Sequence, residues 1–438
     1  MNKLYSNRKH LSILQNSILF IFIYPEILFS LFLIPTKFAS LTQKLNIPSF
    51  VSPPNVLFAF ISCLILIHVL MNEKFISIPK WLFIAYTGFI LLMVTSIHYS
   101  SNPEYGLIKT IEFLTYSSLA CFAPFFLFRD LISFERFLKT FIVLGIILSV
   151  FIFISSPYSF QFYSSNTSYP EFQTTIGSNY LALQYLVGIS ILIMLYYFLF
   201  KKNISKKITL LFIALIGLSS VAMLYSPGKN PIISLFLTVV IMTLASLKID
   251  YQKILIKRKI LNYAVFIFVM GSLLLSTVGW MFVLRLQAVL TPGYYGQVER
   301  VENTKIAIDL FLSHPILGAG IGSFSDYAAE FEDIERMKYP HNLPLEIASE
   351  LGSIGLLLFT LILTYAFKQL IYLTKKYRAT EYHHLPNAVM AFLVFTFLTS
   401  LTGGNINNSL LFVWIGTAFI IEPVIKKCMK NNNSLAEL

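Results

Sequence analysis

Charged residues are scarce in this sequence: Lys, Arg, Asp and Glu make up only 12% of its 438 residues. A soluble domain carries about 25% charged residues, so this scarcity excludes an ordinary soluble protein. Hydrophobic residues make up 56% of the chain, and its mean hydropathy is +0.72. Most of the chain is therefore predicted to face lipid.

Several motifs are also missing. The three cysteines, Cys63, Cys121 and Cys428, form no C-x-x-C pair and no metal-binding spacing. The chain contains no D-x-D and no internal repeat. Its first apolar run, from Leu11 to about Pro35, is too long for a signal peptide and has no small-residue cleavage site after it, which predicts a retained span.

Apolar segments of about 20 residues predict an all-α integral membrane protein with about twelve transmembrane helices. These segments lie near 11–35, 53–71, 79–98, 106–128, 137–156, 177–200, 207–225, 231–248, 260–284, 352–373, 386–402 and 409–425.

The distribution of positive charge predicts the orientation of these spans. With both termini inside, most of the 33 Lys and Arg residues fall in inner segments. The exceptions are Lys37, Lys44, Lys109, Lys229, Arg285, Arg300, Lys305, Arg336 and Lys338. This bias follows the positive-inside rule, so the net charge of +12 is explained by topology, and nucleic acid is not expected as a partner.

One predicted outer loop, between spans 9 and 10, is long and mixed in composition. It divides the chain into spans 1–9 (1–284), an outer loop (285–351), and spans 10–12 with a cytoplasmic tail (352–438). Within the loop, 300–312 has helical periodicity, with Val301, Ile308 and Leu312 on one face. A glycine-rich turn follows at 314–322, where the glycines suit positive φ. A second helix is predicted over 324–337, with Ser323 as its N-cap.

The next span is predicted to start directly after His341. Asn342 is a suitable N-cap and Pro344 is tolerated in a first helical turn. His341 would then stand beside unpaired backbone N–H groups and the positive end of a helix dipole, where an anion is stabilised and an imidazole tends to stay neutral. A loop histidine without a catalytic role is the alternative for this position.

Cations near the predicted outer surface could bind a diphosphate, because Arg and Lys side chains pair with phosphate oxygens. Anchoring to lipid headgroups is the alternative for each, and Lys109 could simply neutralise Glu112. The candidates are Arg285, Arg300, Arg336, Lys229 and Lys109. Glu330, Glu332, Asp333 and Glu335 do not share one helix face, so a solvated surface is favoured over a metal site.

Three features together resemble the O-antigen ligase family, which includes O-antigen and capsule repeat-unit polymerases. They are Arg300, the turn Ser313-His314-Pro315-Ile316-Leu317-Gly318-Ala319-Gly320, and His341-Asn342 followed, after nine intervening residues, by Gly352-x-x-Gly355. The family's Ser-Arg-Gly has a counterpart in Ser226-Pro227-Gly228-Lys229. Thr304 stands where the family often has Trp.

The resemblance implies an inverting, metal-independent glycosyltransferase without a cofactor, acting on the periplasmic face of the inner membrane. Its donor would be a glycan on undecaprenyl diphosphate. The acceptor would be a sugar hydroxyl of lipid A core in a ligase, or another lipid-linked glycan in a polymerase. His341 would accept the acceptor's proton, and Arg300 would stabilise the leaving diphosphate. Arg285, Lys229, Asn342, Arg336 and Lys109 would help to bind diphosphate or glycan.

Two other classes of function stay open at this point. A transporter or flippase would normally show internal repeats and polar residues near the membrane midplane. Here the polar residues concentrate at one interface beside a long outer loop, which favours chemistry there. An inactive scaffold is not excluded by the sequence.

Overall fold

The chain folds into a bundle of α-helices. The structure, a computed structural model, describes residues 24–33, 53–70, 75–155, 180–200, 205–225, 230–246, 249–250, 253–254, 295–331 and 339–436. The helices are α1 (Pro25–Phe32), α2 (Pro53–Leu70), α3 (Lys80–Ser96), α4 (Pro103–Glu112), α5 (Ser118–Leu127), α6 (Leu131–Ser155), α7 (Tyr180–Phe200), α8 (Lys206–Tyr225), α9 (Asn230–Ser246), α10 (Tyr295–Ser313), α11 (Phe324–Phe331), α12 (Leu343–Lys376), α13 (His384–Gly403) and α14 (Ser409–Ala436).

Shorter elements join some of these helices. A 3₁₀ turn at Ile97–Tyr99 follows α3, a π-helical turn at Phe113–Ser117 joins α4 to α5, and a 3₁₀ turn at Glu381–His383 precedes α13. Two short antiparallel strands, β1 (Ile249–Asp250) and β2 (Lys253–Ile254), follow α9. This pair of strands was not predicted from the sequence.

Helix α14 forms the centre of the bundle. Within its apolar segment Ser409–Lys430, 83% of an 18-residue stretch is buried. It packs against α5, α12 and α13. The indole of Trp414 is fully buried and lies 4.6 Å from the ring of Phe392 and 5.9 Å from that of Phe137, centroid to centroid. A helix that is apolar on all sides is expected to be buried in this way.

The expectation of an all-helical membrane protein is supported, but the number of spans is not. Among the described residues, seven helical segments are long and apolar enough to cross a membrane, and three shorter apolar helices lie at 55–67, 183–198 and 230–243. The predicted ninth span, 260–284, lies outside the described residues, as does most of the first. Twelve spans and the N-in, C-in orientation therefore remain predictions.

Helix α4 exposes apolar side chains and buries a charged one, the reverse of a helix in a soluble protein. Leu107, Ile108 and Ile111 are about half exposed, whereas Lys109 on the opposite side is only 3% exposed. In water this arrangement would be unfavourable, because charge is buried and apolar surface is left outside. It is the arrangement expected in lipid, where ionisable side chains turn into the bundle and find partners.

The two helices predicted between spans 9 and 10 are present, but their contacts differ from the prediction. Helix α10 spans Tyr295–Ser313. The predicted face of Val301, Ile308 and Leu312 is 41–66% exposed. The helix instead buries Ala307 and Leu310, which pack with Phe324 of α11. The periodicity of large apolar residues therefore identified the helix but not the face that packs.

Candidate active site

The backbone at His341 is unusual. Its φ of 55° makes it the only non-glycine residue with positive φ in the described parts of the chain. Such a conformation costs about 1–3 kcal/mol and persists only where neighbouring contacts hold it. His341 directly precedes the cap of α12, so this backbone turn sets the direction in which its imidazole leaves the chain.

The start of α12 is capped as predicted. The side chain of Asn342 accepts a hydrogen bond from Leu345 N at 3.1 Å, and Pro344 lies in the first turn. Both features reduce the number of unpaired N–H groups at this helix end, since one amide is bonded and a proline has none. Several unpaired amides were expected here from the sequence alone. Stabilisation of an anion must therefore rely more on side chains than on the helix terminus.

Tyr339 lies against the imidazole of His341. The two ring centroids are 4.5 Å apart and the ring planes meet at 61°. Burial raises the pKa of Tyr339 to about 12, and the charge of Glu346 adds to the effect. The phenol therefore keeps its proton at neutral pH and is not available as a base. Its ring restricts the orientations of the imidazole.

Helix α12 is broken at Gly352, in its third turn. Gly352 has φ 66° and ψ −166°, which are not helical values. The break leaves backbone groups without partners inside the helix, and the glycine turn bonds to them. Ala319 N and Gly320 N donate to the carbonyls of Ser349 and Glu350, both at 2.9 Å.

The same turn also bonds the chain just after the break. Ser353 N donates to the Pro315 carbonyl at 2.9 Å, and Ile354 N to the Ile316 carbonyl at 3.3 Å. The chain around Gly352 and the glycine turn are thus joined by backbone hydrogen bonds into one unit. Together they fix α10 and the first part of α12 relative to each other, and with them the position of His341.

The other side of the turn attaches to the segment between α3 and α4. Ser100 Oγ donates to the Ile321 carbonyl at 2.8 Å, and Asn102 Nδ2 donates to Asp326 Oδ1 at 2.7 Å. Ser323, predicted as the N-cap of α11, uses its hydroxyl differently. It donates to the Ala319 carbonyl at 2.8 Å and accepts from Ser101 N at 3.0 Å.

Gly352→Ala is expected to destabilise the protein strongly. A Cβ at this position would lie 2.3 Å from the Ile316 carbonyl oxygen, on a backbone whose φ is positive. Backbone strain of ~1–3 kcal/mol and overpacking of a similar size should lower the melting temperature. Gly217→Ala in α8 is the matched control, because a Cβ there meets nothing within 4 Å. Equal melting temperatures for the two variants would contradict this account of the break.

Lys109, Glu346 and Glu350 form a buried ion triad close to the start of α12. Lys109 Nζ is 2.6 Å from Glu346 Oε1 and 2.6 Å from Glu350 Oε2. The three side chains are 0–3% exposed. Glu346 Oε2 also accepts from Ile406 N at 2.9 Å. The triad therefore joins α4, the first segment of α12 and the loop before α14.

The structure brings only some of the predicted site residues together. His341 and Asn342 lie at the start of α12, and Lys109 lies in the buried triad, where it pairs with Glu346 and Glu350. Position 300 lies in the first turns of α10, but its side chain is outside the described part. Lys229, Arg285 and Arg336 also lie outside the described residues. Their assignment to a diphosphate site stays a prediction.

The acidic cluster of the outer loop is mostly outside the described residues, since only position 330 lies in a described helix, α11. Among the residues that the structure does describe, no group of three or more His, Cys, Asp or Glu side chains could hold a metal ion. Metal independence stays a prediction that needs an assay.

Two residues of the site were not singled out from the sequence. Glu346 and Glu350 follow His341 by five and nine residues and are spaced i, i+4 on α12. That spacing places both carboxylates on one face. Two acidic residues on one face at the start of an apolar helix could have indicated a buried cationic partner, because such charges are rarely left unpaired in a membrane.

These features define the class of protein: a helical membrane protein that crosses the bilayer several times and buries a polar site at one end of its bundle. Residues 177–360 match the model of the O-antigen ligase family. The match includes Arg300, the glycine turn, His341 and Gly352, which confirms the predicted resemblance. It supports a function of the ligase or polymerase type. None of the curated proteins compared with the chain matches it.

Proposed function

We propose that this protein is a glycosyltransferase that moves a glycan from undecaprenyl diphosphate to a sugar hydroxyl of lipid A core. The reaction would take place on the outer face of the inner membrane, by inversion and without a metal ion. The observation that carries the proposal is the fixed position of His341 at the start of α12, inside the matched domain. The alternative within the same family is polymerisation, with a second lipid-linked glycan as acceptor.

In this proposal His341 takes the proton of the acceptor hydroxyl as that oxygen attacks the first sugar of the donor. The bond between this sugar and the diphosphate breaks, and undecaprenyl diphosphate leaves with the electron pair. An imidazole is suited to this step near neutral pH. Arg300, with Lys229, Arg285 and Arg336, would stabilise the negative charge on the departing diphosphate.

A lipid-linked donor also agrees with the surface of α10. Val301, Ile308 and Leu312 leave an apolar stripe exposed, and Ile316 continues it at 64% exposure. We propose that this stripe faces the lipid, where the polyprenyl chain of the donor would lie. The diphosphate would then be at the same level as position 300.

The test is a transfer assay with purified protein and undecaprenyl-diphosphate-linked glycan in the presence of EDTA, with and without lipid A core. Glycan on lipid A core supports a ligase, whereas longer lipid-linked glycans without that acceptor support a polymerase. Loss of turnover in EDTA that Mg²⁺ restores would contradict the metal-independent mechanism. Transport of intact donor across a vesicle membrane, without transfer, would favour a flippase instead.

Arg300→Lys separates two roles for Arg300. If the guanidinium binds the diphosphate through two parallel hydrogen bonds, lysine keeps the charge but loses the paired geometry. We then expect a loss of about 1–3 kcal/mol in transition-state stabilisation and a larger loss for Arg300→Ala. Donor-saturation kinetics measure both. Lys305→Arg, five residues along the same helix, is the control. Unchanged kinetics for Arg300→Lys would show that a point charge suffices, as in headgroup anchoring.

A further inference from the structure

Asn303 is a buried polar side chain whose hydrogen-bonding groups are not satisfied. It lies on α10 and is 0% exposed. Neither Oδ1 nor Nδ2 has a hydrogen-bond partner in the described parts of the protein. Buried amides are almost always bonded, because burial without a partner loses the hydrogen bonds made in water. An exception inside a matched enzyme domain requires an explanation.

The position of Asn303 is fixed by the packing of α10 on α12. Leu345 packs against the cluster that contains Ala307 and Leu310. Further along both segments, Ile354 N of α12 donates to the carbonyl of Ile316, which follows α10. Because the contacts come in the same order along both segments, the two helices run in the same direction. Asn303 is one turn before Ala307, as His341 is about one turn before Leu345. The carboxamide therefore lies toward the His341 end of the interface, and position 300 is one further turn back on the same face.

The chemistry of a carboxamide restricts the ligand that would satisfy it. Oδ1 accepts and Nδ2 donates. A diphosphate offers only acceptors and would leave Oδ1 without a partner. Sugar hydroxyl and acetamido groups both donate and accept, so one sugar can satisfy both atoms.

We propose that Asn303 binds the sugar that is attached directly to the diphosphate of the donor. The inference rests on the proposed function, because it places the diphosphate near position 300 and the reacting sugar between there and His341. Asn303 is then a specificity residue for the first sugar. The carboxamide is fully buried in the structure, so binding requires the groups around it to move. The unsatisfied amide makes the covered arrangement less stable and so favours that opening.

The test compares two lipids in binding to the full-length protein in detergent. One is undecaprenyl diphosphate, and the other is undecaprenyl diphosphate that carries a single N-acetylhexosamine. The variant is Asn303→Leu, whose side chain has the same branched shape without polar atoms. We expect its affinity for the sugar-bearing lipid to fall about 10-fold, the size of one lost hydrogen bond of good geometry. Its affinity for undecaprenyl diphosphate alone should not change.

A second readout is the melting temperature without lipid. Asn303→Leu should melt at or above the temperature of the wild type, because it removes an unsatisfied polar group. The control is Asn387→Leu in α13, where Asn387 Nδ2 donates to the His383 carbonyl at 2.9 Å and Oδ1 accepts from Thr374 at 3.3 Å. That variant should melt at a lower temperature and bind both lipids normally.

Three outcomes would overturn the inference. They are a lower melting temperature for Asn303→Leu, an equal loss of affinity for both lipids, or no loss for either. If the wild-type protein itself binds neither lipid, the proposed function fails and the inference fails with it. If the wild type binds both and Asn303→Leu behaves like it, only the role of Asn303 is wrong.

Discussion

His341→Ala is expected to abolish most glycan transfer while the protein still folds. Removal of a general base lowers the rate by roughly 10²–10⁴-fold. Tyr339, the neighbouring ring, cannot take over, since its pKa is raised to about 12 and the phenol stays protonated at neutral pH. The measurement is the initial rate of transfer at saturating donor and acceptor. The loss should appear in kcat, because the proton is transferred in the chemical step.

The control for this variant follows from the backbone. His341 has φ 55°, a conformation that asparagine adopts more easily than alanine. His341→Asn should therefore keep a melting temperature closer to the wild type than His341→Ala does. Both variants should be equally inactive. Near wild-type transfer by His341→Asn would show that the imidazole is not the base.

The local features of this site could be predicted from the sequence. The N-cap at Asn342 and the proline after it depend on neighbours within four residues. The positive φ values of Gly318, Gly320 and Gly322 were expected from a turn that only glycine allows. Such features are determined by short-range sterics and hydrogen bonds, so the chain around His341 carries the information itself.

The partners across the site could not be predicted in this way. Glu112, three residues along the same helix, was the obvious neighbour of Lys109. In the structure Lys109 pairs with Glu350, 241 residues away in the chain. Glu112 accepts from Asn407 Nδ2 at 2.7 Å. Local spacing gives the neighbours on one helix, whereas burial in a bundle is decided by which helix faces approach one another.

The break in α12 shows how the two kinds of information combine. Gly352 was recognised as part of a spacing, but the sequence alone does not show what the glycine contacts. The structure places the Ile316 carbonyl where a side chain would be. A glycine is needed at position 352 because the turn that contains Ile316 and Gly318 packs directly against it. That turn is another of the features that resemble the O-antigen ligase family.

Lys109→Met is the variant with the largest expected effect on stability. The substitution keeps an unbranched side chain that is one atom shorter, and it leaves Glu346 and Glu350 buried without a cation. Breaking a buried ion pair from one side costs roughly 3–5 kcal/mol, and here two carboxylates lose their partner. The melting temperature in detergent should fall sharply. Lys139→Met is the matched control, because its pair with Glu135 is exposed and should contribute at most about 1 kcal/mol.

A compensating variant separates charge neutralisation from substrate binding. Lys109→Met combined with Glu346→Gln and Glu350→Gln removes all three charges, and a glutamine at 346 can still accept from Ile406 N. Replacing a buried ionic group entirely is often neutral, so much of the lost stability should return. If Lys109 instead binds diphosphate directly, Lys109→Met would keep its melting temperature and lose donor affinity. That result would show that the triad is not what holds α4, α12 and the loop before α14 together beneath His341.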